Sequence, residues 1–176
     1  MAQLPSGGWV VVLFYTKGMI ILGIDPGTAT TGFGVIRVEP GQTMMLDCGI
    51  ISTPKDLPHA DRLGILHADL AELIAHHKPD RAGLEKLFFT SNVTTAMAVS
   101  EARGVIILTL QQAGIELMEF TPTQIKQSTT GYGQAKKAQM QAMVQKILRL
   151  ETIPKPDDAA DALAIALAAA HSRTPR

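Results

Sequence analysis

Hydrophobic residues recur along this chain with two periodicities, and each predicts a different kind of element. Short apolar runs bounded by glycine or proline predict strands at 19–25, 33–38, 44–51, 81–85 and 115–120. Apolar residues spaced three and four positions apart predict helices at 59–77 and 134–150, and further helices are expected at 93–112, at 122–128 and at 157–171, the last of them apolar almost all round and hence buried. Three consecutive strands followed by alternating helices and strands predict a mixed α/β sheet of five strands, three of them antiparallel, with helices on both faces.

This arrangement, a mixed five-stranded sheet flanked by helices, resembles the fold of ribonuclease H. We expect residues 19–172 to form the domain, because Met19 directly precedes the first core strand. Residues 1–18 are predicted to be an N-terminal extension outside the core fold, and residues 173–176 a C-terminal tail. The polar run 28–31 is predicted to belong to a turn, and 129–133 to a flexible loop.

The composition limits the class of protein and its location but does not identify a binding partner. The formal net charge is zero, 46% of residues are hydrophobic, and no apolar run is long enough to cross a bilayer. The chain has one cysteine, Cys48, and therefore no internal disulfide, so we expect a reducing cytoplasmic location and no membrane partner. Residues 121–155 carry six basic residues against one acid. Charge alone favours a solvated helix face there, with nucleic-acid binding as the alternative.

Four carboxylates occupy positions that exposure to solvent alone does not fully explain. Asp25 and Glu85 each end a buried strand, and Asp158 and Asp161 lie three apart on the same face of an apolar helix. Each acid has an ordinary explanation, either as a solvated strand end or, for Asp157 and Asp158, as a helix cap or first-turn acid. Together they predict one acidic pocket. Oxygen ligands suit Mg²⁺ or Mn²⁺ rather than zinc, and two such ions roughly 4 Å apart are typical of phosphodiester hydrolysis.

Six sequence blocks then resemble the RuvC family, the crossover junction endodeoxyribonucleases that resolve Holliday junctions in DNA recombination and repair. The blocks are GIDPG (23–27), TGFGVI (31–36), LEKLFF (84–89), ARGV (102–105), IKQSTTGYGQAKKAQ (125–139) and DDAADALAIA (157–166). They stand in the family's order and spacing, and the similarity runs from Met19 to about residue 170.

The resemblance implies a Mg²⁺-dependent homodimer with two ions in each active site, which resolves four-way junction DNA by paired, symmetric nicks. It implies that the catalytic and metal-binding acids are Asp25, Glu85, Asp158 and Asp161. It assigns DNA insertion to Phe88 and phosphate contacts to Lys126 and Lys137, and Lys136 of the same basic run joins the expected DNA-binding residues. It favours a subunit contact over core packing for the small residues Ala96, Ser100 and Gly104. A branch-migration helicase complex like RuvAB is the implied further partner.

The chain departs from the family pattern at three positions, where many members have a basic residue for Ala29, a lysine for Ser91 and an acid for Lys136. These departures concern individual phosphate contacts rather than the chemistry. Three other functions stay open from the residues alone: an actin-like or Hsp70-like ATPase, a non-cleaving branched-DNA-binding module, and a related nuclease acting on RNA. The ATPase would need a second phosphate-binding loop, which the sequence does not show.

Overall fold

The computed structural model describes residues 18–27, 29–87 and 93–172, together with the backbone of two short strands near the N-terminus. Those strands, β1 (Ala2–Gln3) and β2 (Trp9–Val10), pair with each other in a separate sheet. The main sheet contains β3 (Met19–Asp25), β4 (Thr30–Glu39), β5 (Gln42–Ser52), β6 (Arg81–Glu85) and β7 (Glu116–Phe120). The helices are α1 (His59–His77), α2 (Val93–Gln112), α3 (Pro122–Thr130), α4 (Lys137–Ile147) and α5 (Asp157–His171).

The main sheet has five strands in the order β5-β4-β3-β6-β7. The pairs β3–β4 and β4–β5 are antiparallel, whereas β3–β6 and β6–β7 are parallel. The predicted mixed α/β architecture is therefore confirmed, including the antiparallel arrangement of the first three strands.

Three predicted boundaries were wrong. The polar residues Thr30 and Thr31 belong to β4, where they pair with Ser52 and Ile51 of β5, so they are not a turn. Helix α3 continues through 129 and 130 and ends only where Gly131 adopts a positive φ of 77°. Helix α4 is shorter than predicted at both ends, because its N-cap is Lys136 and its C-cap is residue 148.

The sheet separates two hydrophobic cores. Side chains alternate between the faces along a strand, so Leu22 and Ile24 of β3 pack with α1 and α2, whereas Ile21 packs on the other face with α3, α4 and α5. No helix in the described part of the chain is long and apolar enough to span a membrane.

Helix α5 lies unusually close to the centre of the sheet. A Cβ atom on Gly23 of β3 would fall 2.0 Å from the carbonyl oxygen of Ala162, and one on Gly32 of β4 would fall 2.2 Å from that of Asp158. Only glycine leaves room for a helix backbone at these two points. The face of the sheet that carries these glycines is thus in direct contact with the first two turns of α5.

Candidate active site

Asp25 and Glu85 end two neighbouring parallel strands and point toward α5. The last paired residues of β3 and β6 are Ile24 and Leu84, so the two acids follow side by side. Each lies two positions after a glycine, Gly23 or Gly83, whose missing Cβ faces α5. Because side chains alternate along a strand, the acids emerge on that same face.

The other two acids reach this point from the helix. Asp158 lies in the first turn of α5, where the partial positive charge of a helix N-terminus favours a carboxylate. Its backbone touches Gly32, which pairs with Asp25 across β3 and β4. Asp161 lies one turn further along the same helix face. Pro156 occupies the N-cap position of α5, so of the two ordinary explanations for Asp157 the first-turn acid applies and the helix cap does not.

The four carboxylates share one electrostatic environment. Burial and then the nearby charges of Glu85, Asp161 and Asp158, in that order of size, raise the pKa of Asp25 to about 7, while Lys137 opposes the change. Burial and then the charge of Asp161 raise the pKa of Glu85, while Lys126 opposes the change. Burial also raises the pKa of Asp161 above its usual value, despite the opposing contact with Lys137. Like charges this close favour proton or cation uptake.

Two neighbouring groups partly compensate the acids. The ammonium of Lys137, at the start of α4, lies 2.8 Å from Oδ2 of Asp161 and 3.4 Å from Oδ2 of Asp157. The hydroxyl of Thr30 donates a hydrogen bond of 2.8 Å to Oδ2 of Asp158. One helix acid is therefore paired with a cation and the other with a neutral donor.

A cavity of about 250 Å³ opens beside these groups. Glu85, Asp161, Lys126 and Lys137 form its polar wall, and the apolar wall consists of Pro122, Ile125, Met140 and Ile165. Two lysines from α3 and α4 and two acids from β6 and α5 thus line one space that is large enough for a phosphate group.

The donor set suits a hard cation. All four acids offer oxygen, which Mg²⁺ and Mn²⁺ prefer. Among the described residues, the buried Oδ1 atom of Asp161 has no hydrogen-bond partner, so it remains available as a ligand. Within those same residues, however, no three His, Cys, Asp or Glu side chains form a set that could hold a metal ion as they stand. The acids converge on one place without forming a closed coordination shell.

The remaining predicted site residues lie apart from this pocket or outside the described chain. Lys136 is exposed and does not line the cavity. Phe88 lies outside the described residues, as does Ser91. Helix α2, which carries Ala96, Ser100 and Gly104, packs on the opposite face of the sheet from α5.

Two contacts near the acids were not predicted from the sequence. One is the Thr30 hydroxyl, and the other is Arg103 of α2, whose Nε lies 3.4 Å from the backbone oxygen of Glu85 and whose guanidinium also pairs with Glu119 of β7. Arg103 falls in the ARGV block, which was a signal for it. Thr30 had no comparable signal, because its contact joins residues 128 positions apart.

Known proteins resemble this chain over most of its length. The family model described as crossover junction endodeoxyribonuclease RuvC matches residues 21–169. RuvC of Heliobacterium modesticaldum is 49% identical over 156 residues, which cover 89% of this chain and 96% of that protein. The solved structure of Thermus thermophilus RuvC gives a TM-score of 0.81 at 34% identity, and covers 86% of this chain and 93% of that one. The T. thermophilus RuvC structure in complex with Holliday junction substrate gives a TM-score of 0.79 at 32% identity, with the same coverage.

The raised pKa of Asp25 predicts a pH-dependent gain in stability when that charge is removed. Since the pKa of Asp25 is about 7 in the folded state and 3.8 is the ordinary value for aspartate, the folded state favours the protonated acid, and this stabilisation is lost as the pH rises from 3.8 to about 7. Without divalent cations, Asp25→Asn should therefore be more stable than the native protein at pH 8, by about 2–4 kcal/mol, and nearly equal to it at pH 4. Urea unfolding across this range measures the difference.

The control for this experiment is Asp56→Asn, on an exposed loop, which should leave the pH profile unchanged. If Asp25→Asn and the native protein lost stability in parallel between pH 4 and 8, the claim that the Asp25 carboxylate is buried among other acids would be refuted.

Proposed function

Because this chain belongs to the RuvC family of crossover junction endodeoxyribonucleases, we propose that it resolves Holliday junctions by paired, symmetric nicks in strands of like sequence. The observation that supports this function best is the convergence of four carboxylates from β3, β6 and α5 at one end of the sheet. T. thermophilus RuvC, whose fold this chain shares, has been seen in complex with Holliday junction substrate. The family match over residues 21–169 gives no support to an ATPase or to an RNA-cleaving enzyme.

The catalytic acids in this proposal are Asp25, Glu85, Asp158 and Asp161, and the same residues would hold the cofactor. We propose Mg²⁺, with Mn²⁺ as a substitute, and two ions in each site. Such ions supply Lewis-acid stabilisation of the attacking and leaving oxygens in phosphodiester hydrolysis. The raised pKa values of Asp25, Glu85 and Asp161 and the unpartnered Oδ1 of Asp161 support this assignment, because each reflects negative charge or acceptor capacity that the protein alone does not satisfy.

Lys126 and Lys137 would bind and orient the DNA backbone. Both line the cavity beside Glu85 and Asp161, so a phosphate that enters it meets two cations and is held next to the acids. Ile125, Met140 and Ile165 give the other side of this space an apolar wall. Lys136, exposed beside Lys137, would add a weaker contact to a more distant phosphate. Phe88 remains a prediction as the residue that inserts into the junction.

The proposed enzyme is a homodimer that forms through α2. Two large apolar side chains on this helix are mainly exposed, Met97 at 62% and Leu108 at 54%. Gly104 lies between them on the same stripe, and among the described residues nothing comes within 4 Å of the position that a Cβ would take there. Two exposed large apolar side chains with a glycine between them on one helix stripe suit close packing against a second copy of the same helix.

Two further parts of the proposal rest on the family resemblance. A branch-migration helicase complex like RuvAB would deliver the junction. A cytoplasmic location is consistent with a DNA substrate and with the single cysteine. We also propose residues 19–172 as the nuclease domain.

The proposed function predicts that the protein cuts a synthetic four-way junction in Mg²⁺ and leaves a linear duplex of the same sequence intact. Asp25→Asn should slow cutting by about a thousandfold, because a lost metal ligand removes several kcal/mol of transition-state stabilisation, while junction binding remains. Gel assays of cleavage in Mg²⁺ and of binding in Ca²⁺ measure both effects. The matched control is Asp56→Asn, which should cut normally. A native protein that leaves the junction uncut, or an Asp25→Asn variant with full activity, would contradict the proposal.

The phosphate contact at Lys137 predicts a smaller salt dependence of junction binding after Lys137→Gln. Each neutralised phosphate adds about one to the slope of log K against log salt, so the slope should fall by about 1. Lys146→Gln makes the same change of charge on an exposed position of the same helix and should alter the slope less. Titrations in Ca²⁺ at four salt concentrations decide the matter, and equal slopes for the two variants would remove Lys137 from the phosphate contacts.

The proposed dimer predicts different effects for one substitution at two exposed helix glycines. Gly104→Leu should weaken self-association about tenfold or more, because overpacking at a close contact costs about 1–3 kcal/mol. Gly64→Leu on α1, where a Cβ would likewise be free of described neighbours, should leave association unchanged. Sedimentation equilibrium measures both constants, and circular dichroism verifies folding. Equal association of the two variants would argue against α2 as the interface.

A further inference from the structure

The start of β4 holds the Asp158 side chain in place through the hydroxyl of Thr30. Thr30 opens the strand and pairs with Ser52 of β5, so its backbone is fixed by the sheet. From there its Oγ1 donates a hydrogen bond of 2.8 Å to Oδ2 of Asp158, across 128 residues of sequence. A contact between such distant residues depends on the tertiary packing of β4 against α5.

A second contact of the same strand fixes the backbone of Asp158. Gly32, two residues after Thr30, lies so close to α5 that a Cβ there would be 2.2 Å from the Asp158 carbonyl oxygen and 3.1 Å from its Cβ. The helix cannot approach further, and the buried residues that follow Asp158 prevent it from moving away. Both the main chain and one carboxylate oxygen of Asp158 are therefore set by β4.

The chemistry of this contact differs from that at Asp161. Lys137 places a full positive charge 2.8 Å from Asp161, which competes with any other cation for that oxygen. A hydroxyl donor orients a carboxylate without cancelling its charge. Asp158 is thus held in one orientation with its charge still available.

We propose that Thr30 is a positioning residue for the active site, which orients the Asp158 carboxylate for cation binding. This inference rests on the proposed function, because it takes Asp158 to be a metal ligand. Residues that hydrogen-bond to ligating carboxylates typically contribute about 10–100-fold to metal affinity. Thr30 would act through Asp158 and would not touch the reacting phosphate.

The test compares Thr30→Val, which keeps the shape and removes the donor, with Thr30→Ser, which keeps the donor. Mn²⁺ binding to the full chain without DNA, measured by calorimetry, should weaken about tenfold or more in Thr30→Val. Thr30→Ser should stay within about threefold of the native protein. In junction cleavage, the Mg²⁺ concentration for half-maximal rate should rise in Thr30→Val, and the rate at saturating Mg²⁺ should recover.

Two controls separate this inference from a general loss of structure and from the proposed function itself. Thr31→Val changes the buried neighbour of Thr30 on the opposite side of the strand and should leave Mn²⁺ affinity unchanged. Asp158→Asn should weaken Mn²⁺ binding more than any threonine variant. If Thr30→Val disturbs folding, as judged by thermal unfolding, Thr30→Ala takes its place and should give the same loss.

Each result has one meaning. Native Mn²⁺ affinity in Thr30→Val or Thr30→Ala, with weakened affinity in Asp158→Asn, would overturn the role of Thr30 and leave the proposed function intact. Native affinity in Asp158→Asn would overturn the ligand assignment on which both rest. An equal loss in Thr30→Val, Thr30→Ser and Thr31→Val would show a packing effect and would also overturn the positioning role.

Discussion

The contact between α5 and the middle of the sheet is the constraint on which the rest of the structure depends. Glycines at 23 and 32 let the helix backbone approach to a distance that any side chain would prevent. The helix itself carries small and aliphatic residues, and those from Ala162 to Ala169 are buried. Because α5 packs so closely on the sheet, its first two turns lie beside the ends of β3 and β6. Two acids of the helix and two acids of the strands therefore meet without any long loop to position them.

This placement makes the acidic pocket electrostatically unfavourable for the protein alone. Burial and mutual repulsion raise the pKa of Asp25 to about 7, and the helix N-terminus, Thr30 and Lys137 compensate the acids only in part. A site that only stabilised the fold would not keep this excess of negative charge, since replacing such groups by apolar ones is often neutral or stabilising. The unfavourable charge is better explained as binding capacity for cations that arrive from solution.

Sequence periodicity predicted the main elements because their signals are local. Helix α1 has clear apolar spacing, α5 is apolar almost all round, and Pro79, Gly114 and Pro156 mark where helices end or begin. The first two residues of β4 were not predicted as strand, because Thr30 and Thr31 resemble turn residues and only their pairing with β5 shows otherwise. Asp25 and Glu85 could be grouped because the ends of parallel strands share one edge, and Asp158 and Asp161 because they lie three apart on one helix face. The Thr30 hydroxyl could not be assigned to the site from the sequence, because only the packing of α5 on β4 brings it to Asp158.

The two faces of the sheet are connected at Glu85. Its carboxylate lies in the acidic pocket on the α5 side, while its backbone oxygen accepts a hydrogen bond from Arg103 of α2 on the other side. Arg103 is also paired with Glu119 of β7, so the end of β6 is tied to the helix proposed as the subunit contact. In the proposed dimer, both active sites would then be attached to one central helix pair. The spacing of the two nicks would follow from how those helices pack, which links the symmetry of cleavage to an interface that contains none of the acids.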